Sequence, residues 1–186
     1  MSYIVTSKEA ILRSSREFVA KNGVQALNMR AIAKMDRISA STIYSYFPSK
    51  RDLVSETIQT IWKDIFKIDC DYASVEVFPK YVDHLYQKAL KRTAKYPGFF
   101  TAHSLAFSVT VENDNSIYIM EDYFTFIETG LLGAIKADKD VKENAFSKEL
   151  TRLDFIHFVF MNLLSLLVQQ RDSCNTLLEI IKKIIY

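Results

Sequence analysis

The chain has 186 residues and a formal net charge of +2, with 49% apolar residues but only 4 Gly and 3 Pro. That apolar share is ample for a packed core and argues against a disordered chain, and so few breakers favour an all-α fold over many short strands. The two cysteines, Cys70 and Cys174, form neither a disulfide framework nor a metal-ligand spacing.

Charge is unevenly placed. Residues 1–51 hold nine Lys or Arg against three acids, a charge of +6, while the remainder carries 15 bases and 19 acids, a charge of −4. A basic head on an acidic body suits a polyanion bound by the head alone. The first 21 residues are polar and charged, with no signal peptide, and the most apolar run, 155–168, is too short to span a bilayer. The expectation is a cytoplasmic protein with no membrane partner.

In chain order, Thr6-Ser7-Lys8-Glu9 reads as a capping box opening a helix over about 7–21. Ala10, Ile11, Ser14 and Phe18 share its packing face, and Asn22-Gly23 ends it. Asn28 caps a second helix, whose Met29, Ile32 and Ala33 recur at helical spacing. Ser39 caps a third, short helix over 40–46, with Ile43 and Phe47 on its inner side. Pro48 breaks it. Ser49 opens the next helix, with Asp52 at the capping-box position.

Two short helices joined by a tight turn can present the second end-on to a DNA major groove. The outward side of the 40–46 helix offers Ser41, Thr42, Tyr44, Ser45 and Tyr46. Lys50 follows at the start of a helix, where a cation opposes the dipole unless a phosphate is near. Tyr44, Tyr46 and Lys50 are expected to hold phosphates, and Ser41 and Thr42 to touch base edges.

The run I11-L12, F18, G23, I32-A33, I38-S39, T42-I43-Y44, Y46-F47, S49-K50 and L53 resembles the amino-terminal domain of the tetracycline-repressor (TetR) family of bacterial regulators. The likeness covers about residues 6–54, and TIYSYFPSK is its most specific part. It implies a DNA-binding domain over 1–50, an effector-binding and dimerisation domain over 51–186, and a base or phosphate contact for Arg30. There are two departures. Asp36 and Arg37 stand where the family has Ala-Gly, and Leu27-Asn28 replaces Thr-Thr. A turn glycine supplies positive φ, and a side chain there costs about 1 kcal/mol. Either the turn has another geometry, or Arg37 tolerates strain while reaching a phosphate.

The helix after Ser49 should run over about 50–68, with Leu53, Val54, Ile58, Ile61 and Ile65 as its apolar stripe. Residues 69–76 are polar and mark the break between head and body. Five body helices are expected, over about 79–95, 99–111, 116–136, 147–170 and 174–186. The fourth is apolar nearly all round, so a second subunit is expected to cover part of it. The expected dimer contacts are Leu153, Ile156, Phe160, Leu163, Leu164 and Leu167, with Leu178, Ile181 and Ile185 from the last helix. Phe99, Phe100, His103 and Phe107, with Tyr123, Phe124 and His157, are candidates to line a site for a small hydrophobic or aromatic effector. No two histidines pair at metal-ligand spacing, and no Gly-rich phosphate loop or nucleophile with a base beside it is present. No enzyme activity, cofactor or metal is expected.

The expected function is a ligand-responsive transcriptional repressor, binding an inverted repeat in double-stranded DNA as a homodimer and released by its effector. The alternative is a dimer of the same fold that acts through a protein partner.

Overall fold

The computed structural model describes residues 6–67, 77–99 and 115–186, with the backbone alone over 115–123. Regular structure among the described residues is entirely helical. Contacts divide the chain into two units, one of Met1–Asp64 with Thr93–Ser116, the other of Ile65–Arg92 with Ile117–Tyr186.

The first unit begins with α1, Lys8–Asn22. Its cap is Ser7, whose Oγ accepts the Ala10 N–H at 3.2 Å, in place of the expected box from Thr6 to Glu9. The buried row is Ile11, Ser15 and Val19; of the expected face Ile11 is buried, while Ala10, Ser14 and Phe18 are half-buried. A serine stands in either row, Ser14 or Ser15, so hydrophobicity alone does not separate them. Gly23, at φ 81, closes the helix with its N–H on the Val19 carbonyl.

Next come α2, Met29–Asp36, and α3, Ala40–Tyr46, packed on one another, with α1 against α2. Asn28 caps α2 by accepting the Ala31 N–H at 2.9 Å. Met29, Ile32 and Ala33 are buried, and Ile43 and Phe47 are wholly so. The fourth helix, α4, spans Lys50–Ile65, three residues short of its expected end. Ser49 and Asp52 cap it reciprocally: the Ser49 N–H donates to Asp52 Oδ2 at 2.9 Å, and the Asp52 N–H to Ser49 Oγ at 3.2 Å. Its buried side holds Leu53, Ile61, Trp62 and Ile65, together with Thr57, whose hydroxyl donates to the Leu53 carbonyl at 2.6 Å. That internal bond lets a threonine sit in a core without an orphaned hydroxyl.

The second unit contains α5, Phe78–Thr93, up to Arg92, and most of α6, Asn115–Ala137. It also contains α7, Arg152–Val168, and α8, Asn175–Ile185, which pack together. The helix expected from 147 starts five residues later. Ser147 instead forms a turn, its Oγ accepting the N–H groups of Glu149 and Leu150 at 3.1 and 3.2 Å. Thr151 and Asp154 then make the capping box that starts α7. Buried Asp138 accepts the first N–H of α5, from Phe78, at 2.7 Å, and also the Tyr186 hydroxyl. One carboxylate thus ties the start of α5 to the residue after α8. The expected helix over 99–111 lies outside the described residues except for Phe99, as does the expected break over 69–76.

Candidate nucleic-acid interface

The turn between α2 and α3 sets the presentation of α3. Arg37 adopts φ 55 and ψ 38, the left-handed conformation. Its N–H reaches the Lys34 carbonyl, and the Ile38 N–H reaches the Ala33 carbonyl at 3.0 Å. This is a Schellman closure built on arginine where glycine would be free of strain. Of the two alternatives left by the sequence, the strained arginine is the one found, at a cost of about 1 kcal/mol.

Two residues later Ser39 Oγ accepts the Thr42 N–H at 3.1 Å and lies 2.7 Å from Ser41 Oγ and 2.8 Å from Thr42 Oγ1. Three hydroxyls therefore meet at the start of α3. Ser41 and Ser45 are exposed and Thr42 is half-buried. Ser45 donates to the Thr42 carbonyl at 2.7 Å. Tyr44 is 52% exposed, the residue on this helix best placed to meet a partner. Tyr46 differs: it is half-buried, and its hydroxyl donates to the Thr6 carbonyl at 2.9 Å. A phosphate oxygen needs a donor, and that proton is already committed. Arg30 and Lys50 are exposed. Beneath α3, Lys8 pairs with Glu56 at 2.7 Å and lies over the Phe47 ring at 5.3 Å.

Of the residues expected around an effector, Phe99, Phe124 and His157 are described with their side chains. Phe99 belongs to the first unit; it is 2% exposed and meets Trp62 edge-on at 5.5 Å. Tyr96 stands 6.3 Å from Phe99 and donates to Asp64 at 2.9 Å; burial, helped by that bond, pushes its phenol up to about 12. Gln59, one turn before Trp62 on α4, has a buried Nε2 with no hydrogen-bond partner among the described residues. Trp62, Tyr96 and Gln59 were missed from the sequence, although a lone tryptophan at helical spacing from Ile58 and Ile65 was a usable signal. Phe124 is in the second unit, half-buried and edge-on to Phe160 at 5.2 Å. His157 is exposed, its Nδ1 2.7 Å from Glu128 Oε1, so it forms a surface pair and is no polar handle in an apolar pocket. Phe100, His103 and Phe107 lie outside the described residues, as does the side chain of Tyr123.

The expected dimer contacts also need correction. Ile156, Phe160, Leu163, Leu167, Ile181 and Ile185 are at most 1% exposed within the single chain, so they form its own core. Leu164 and Leu178 are half-buried, and Leu153 is 56% exposed. The apolar residues that α7 leaves uncovered are Leu153, Phe158, Met161 and Val168. No helix among the described residues is long and apolar enough to cross a membrane.

Residues 11–57 match the family described as bacterial regulatory proteins, tetR family. No curated protein matches the chain in sequence. Among solved structures, the TetR-family transcriptional regulator PfmR of Thermus thermophilus is similar over 98% of this chain and 97% of its own, at 12% identity and a TM-score of 0.59. GusR of Salmonella enterica is similar over 96% and 97%, at 15% identity and a TM-score of 0.59. A tetR-family transcriptional regulator of Streptomyces coelicolor is similar over 90% of this chain and 74% of its own, at 15% identity and a TM-score of 0.59. At such identities the structural likeness carries the fold alone.

Proposed function

We propose that this chain, whose residues 11–57 match the tetR family of bacterial regulatory proteins, belongs to that family and represses transcription as a homodimer on an inverted-repeat operator. The observation that carries the reading is the outward side of α3. Exposed Tyr44 and the Ser41 and Thr42 hydroxyls stand over buried Ile43 and Phe47, within a segment of charge +6. Tyr44 and Lys50 hold phosphates; Ser41, Thr42 and Arg30 reach base edges. Ser45 and Tyr46, whose hydroxyls bond within the chain, support the helix that carries the others. Residues 1–50 supply the DNA contact, and 51–186 the dimer and effector functions.

The dimer is supported by the apolar strip that α7 leaves open, since large exposed apolar residues in a row mark interaction surfaces. Two copies place two α3 helices on half-sites about 34–36 Å apart, one turn of the duplex. The effector reading rests on the first unit, where the Gln59 amide, without a hydrogen-bond partner among the described residues, shares α4 with the Trp62 that meets Phe99. A small apolar ligand carrying one acceptor would satisfy that amide. For 100-fold release it must prefer the non-binding state by about 2.7 kcal/mol.

An electrophoretic shift on DNA upstream of the chain's own gene tests the reading. The parent protein should shift it, Tyr44→Ala should weaken binding to every sequence, and Thr42→Val should change preference more than affinity. Tyr44→Ala binding as tightly as the parent would remove α3 as the reading helix.

A further inference from the structure

The outward edge of α2 carries Arg30, Lys34 and Arg37, spaced four and then three residues apart, and all three are exposed. None of them pairs with an acid among the described residues. Like charges four apart on a helix repel, so the row weakens the free protein. Arg37 adds backbone strain, since it holds a left-handed conformation that glycine would adopt freely. Asp36 is the nearest carboxylate in sequence, yet its Oδ2 is buried with no hydrogen-bond partner among the described residues. Arg37 therefore does not neutralise it. A strained, unpaired arginine and two unpaired cations on one edge, next to the turn that leads into α3, call for an outside polyanion.

We propose that Lys34 and Arg37 extend the DNA contact into a phosphate-holding rail along α2 and its turn, so that the strained arginine fixes how α3 is set against the duplex backbone. The inference rests on the DNA-binding reading above and adds two residues to it. It commits to backbone phosphate, because a guanidinium and an ammonium spaced along a helix edge match charges in a line and carry no base code of their own. The competing account is local: cations in the last turn of α2 also suit its dipole. That account gives both side chains a part in stability and none in DNA binding.

The two accounts separate by salt dependence. The probe is a duplex selected from random sequence by the parent protein, with affinity measured between 50 and 200 mM salt. Each phosphate contact contributes about 0.9 to the slope of log affinity against log salt, hence about 1.8 for a dimer on two half-sites. Arg37→Gly, which relieves the strain, and Lys34→Gln should each lower the slope by that amount. The affinity lost between the two salts should shrink about 12-fold for each. Arg37→Lys should keep most of the parent slope. Lys21→Gln removes the same charge from an exposed site at the end of α1 and should leave the slope unchanged. Thermal unfolding shows that each variant is folded. Parent-like slopes in folded Arg37→Gly and Lys34→Gln overturn the rail while leaving the DNA reading intact. An equal fall in Lys21→Gln overturns it too, because head charge alone would then explain the effect. A parent protein that selects no duplex at all refutes the DNA reading, and the rail with it.

Discussion

Tyr44 and Tyr46 stand two residues apart on a seven-residue helix, yet they do opposite things. Tyr44 points its phenol to solvent, while Tyr46 donates to the Thr6 carbonyl and ties α3 to the start of the chain. Tyr46→Phe should therefore destabilise the fold by about 0.5–1.5 kcal/mol, the worth of one hydrogen bond, with DNA affinity changed only through that loss. Tyr44→Phe should leave stability within about 0.5 kcal/mol and weaken DNA binding. Denaturant unfolding together with a shift assay on both variants decides it, and a reversal of the two patterns would refute the assignment. Cys174 is a third residue whose part is set by its surroundings. It is buried, and burial, with Asp83 beside it, pushes its thiol up to about 12. The thiolate is the reactive form. In a Cys70→Ser chain, a thiol reagent at neutral pH should give no signal until denaturant is added, and prompt labelling of the folded protein would contradict the buried placement.

Among the elements, the caps decide where helices start. At α7 the Thr151 hydroxyl, then its N–H, holds the Asp154 carboxyl below its ordinary 3.8. A carboxyl depressed in the folded state adds stability above its unfolded value and loses it as pH falls through the folded one. The start of α7 should accordingly loosen on the acid side of 3.8. Asp154→Asn should be less stable at neutral pH and should lose less of its stability on going to acid. Hydrogen exchange at residues 152–156 reads this directly, and identical acid sensitivity in the variant would refute it. The caps were also the most legible part of the sequence. Asn28, Ser39 and the Ser49–Asp52 box are each decided within four residues, and each was read where it stands. Ser147 was misread because a serine can cap a helix or make its own turn, and only the following chain decides which. On α1 the inner row runs from Ile11 to Ser15 and Val19 in place of Ser14 and Phe18, and a serine followed four residues later by an apolar residue stands in either row, so the sequence does not separate them. Trp62 and Phe99 touch across 37 positions, so their pairing has no local signature.

At the scale of the molecule, the same limit governs α7. Both of its faces are apolar, and spacing cannot say which faces the chain's own core. The structure assigns Phe155, Ile156, Val159, Phe160, Leu163 and Leu167 to that core and leaves Phe158 and Met161 open at 42% and 46% exposure. Replacing Phe160 would therefore test folding, because a charge at a wholly buried site unfolds the unit before it reports on any partner. Phe158→Glu with Met161→Glu is the informative pair. Both side chains are already partly in water, so the fold should survive with little change in unfolding temperature. Two carboxylates on each copy, brought together across a two-fold axis, would repel and leave apolar neighbours badly covered. The double variant should run as a monomer by light scattering where the parent runs as a dimer. Its affinity for a two-half-site duplex should fall toward that of a single head, while its salt slope should halve. A variant that keeps the parent's mass would take the interface off α7, and a monomer that kept full DNA affinity would mean that one head suffices.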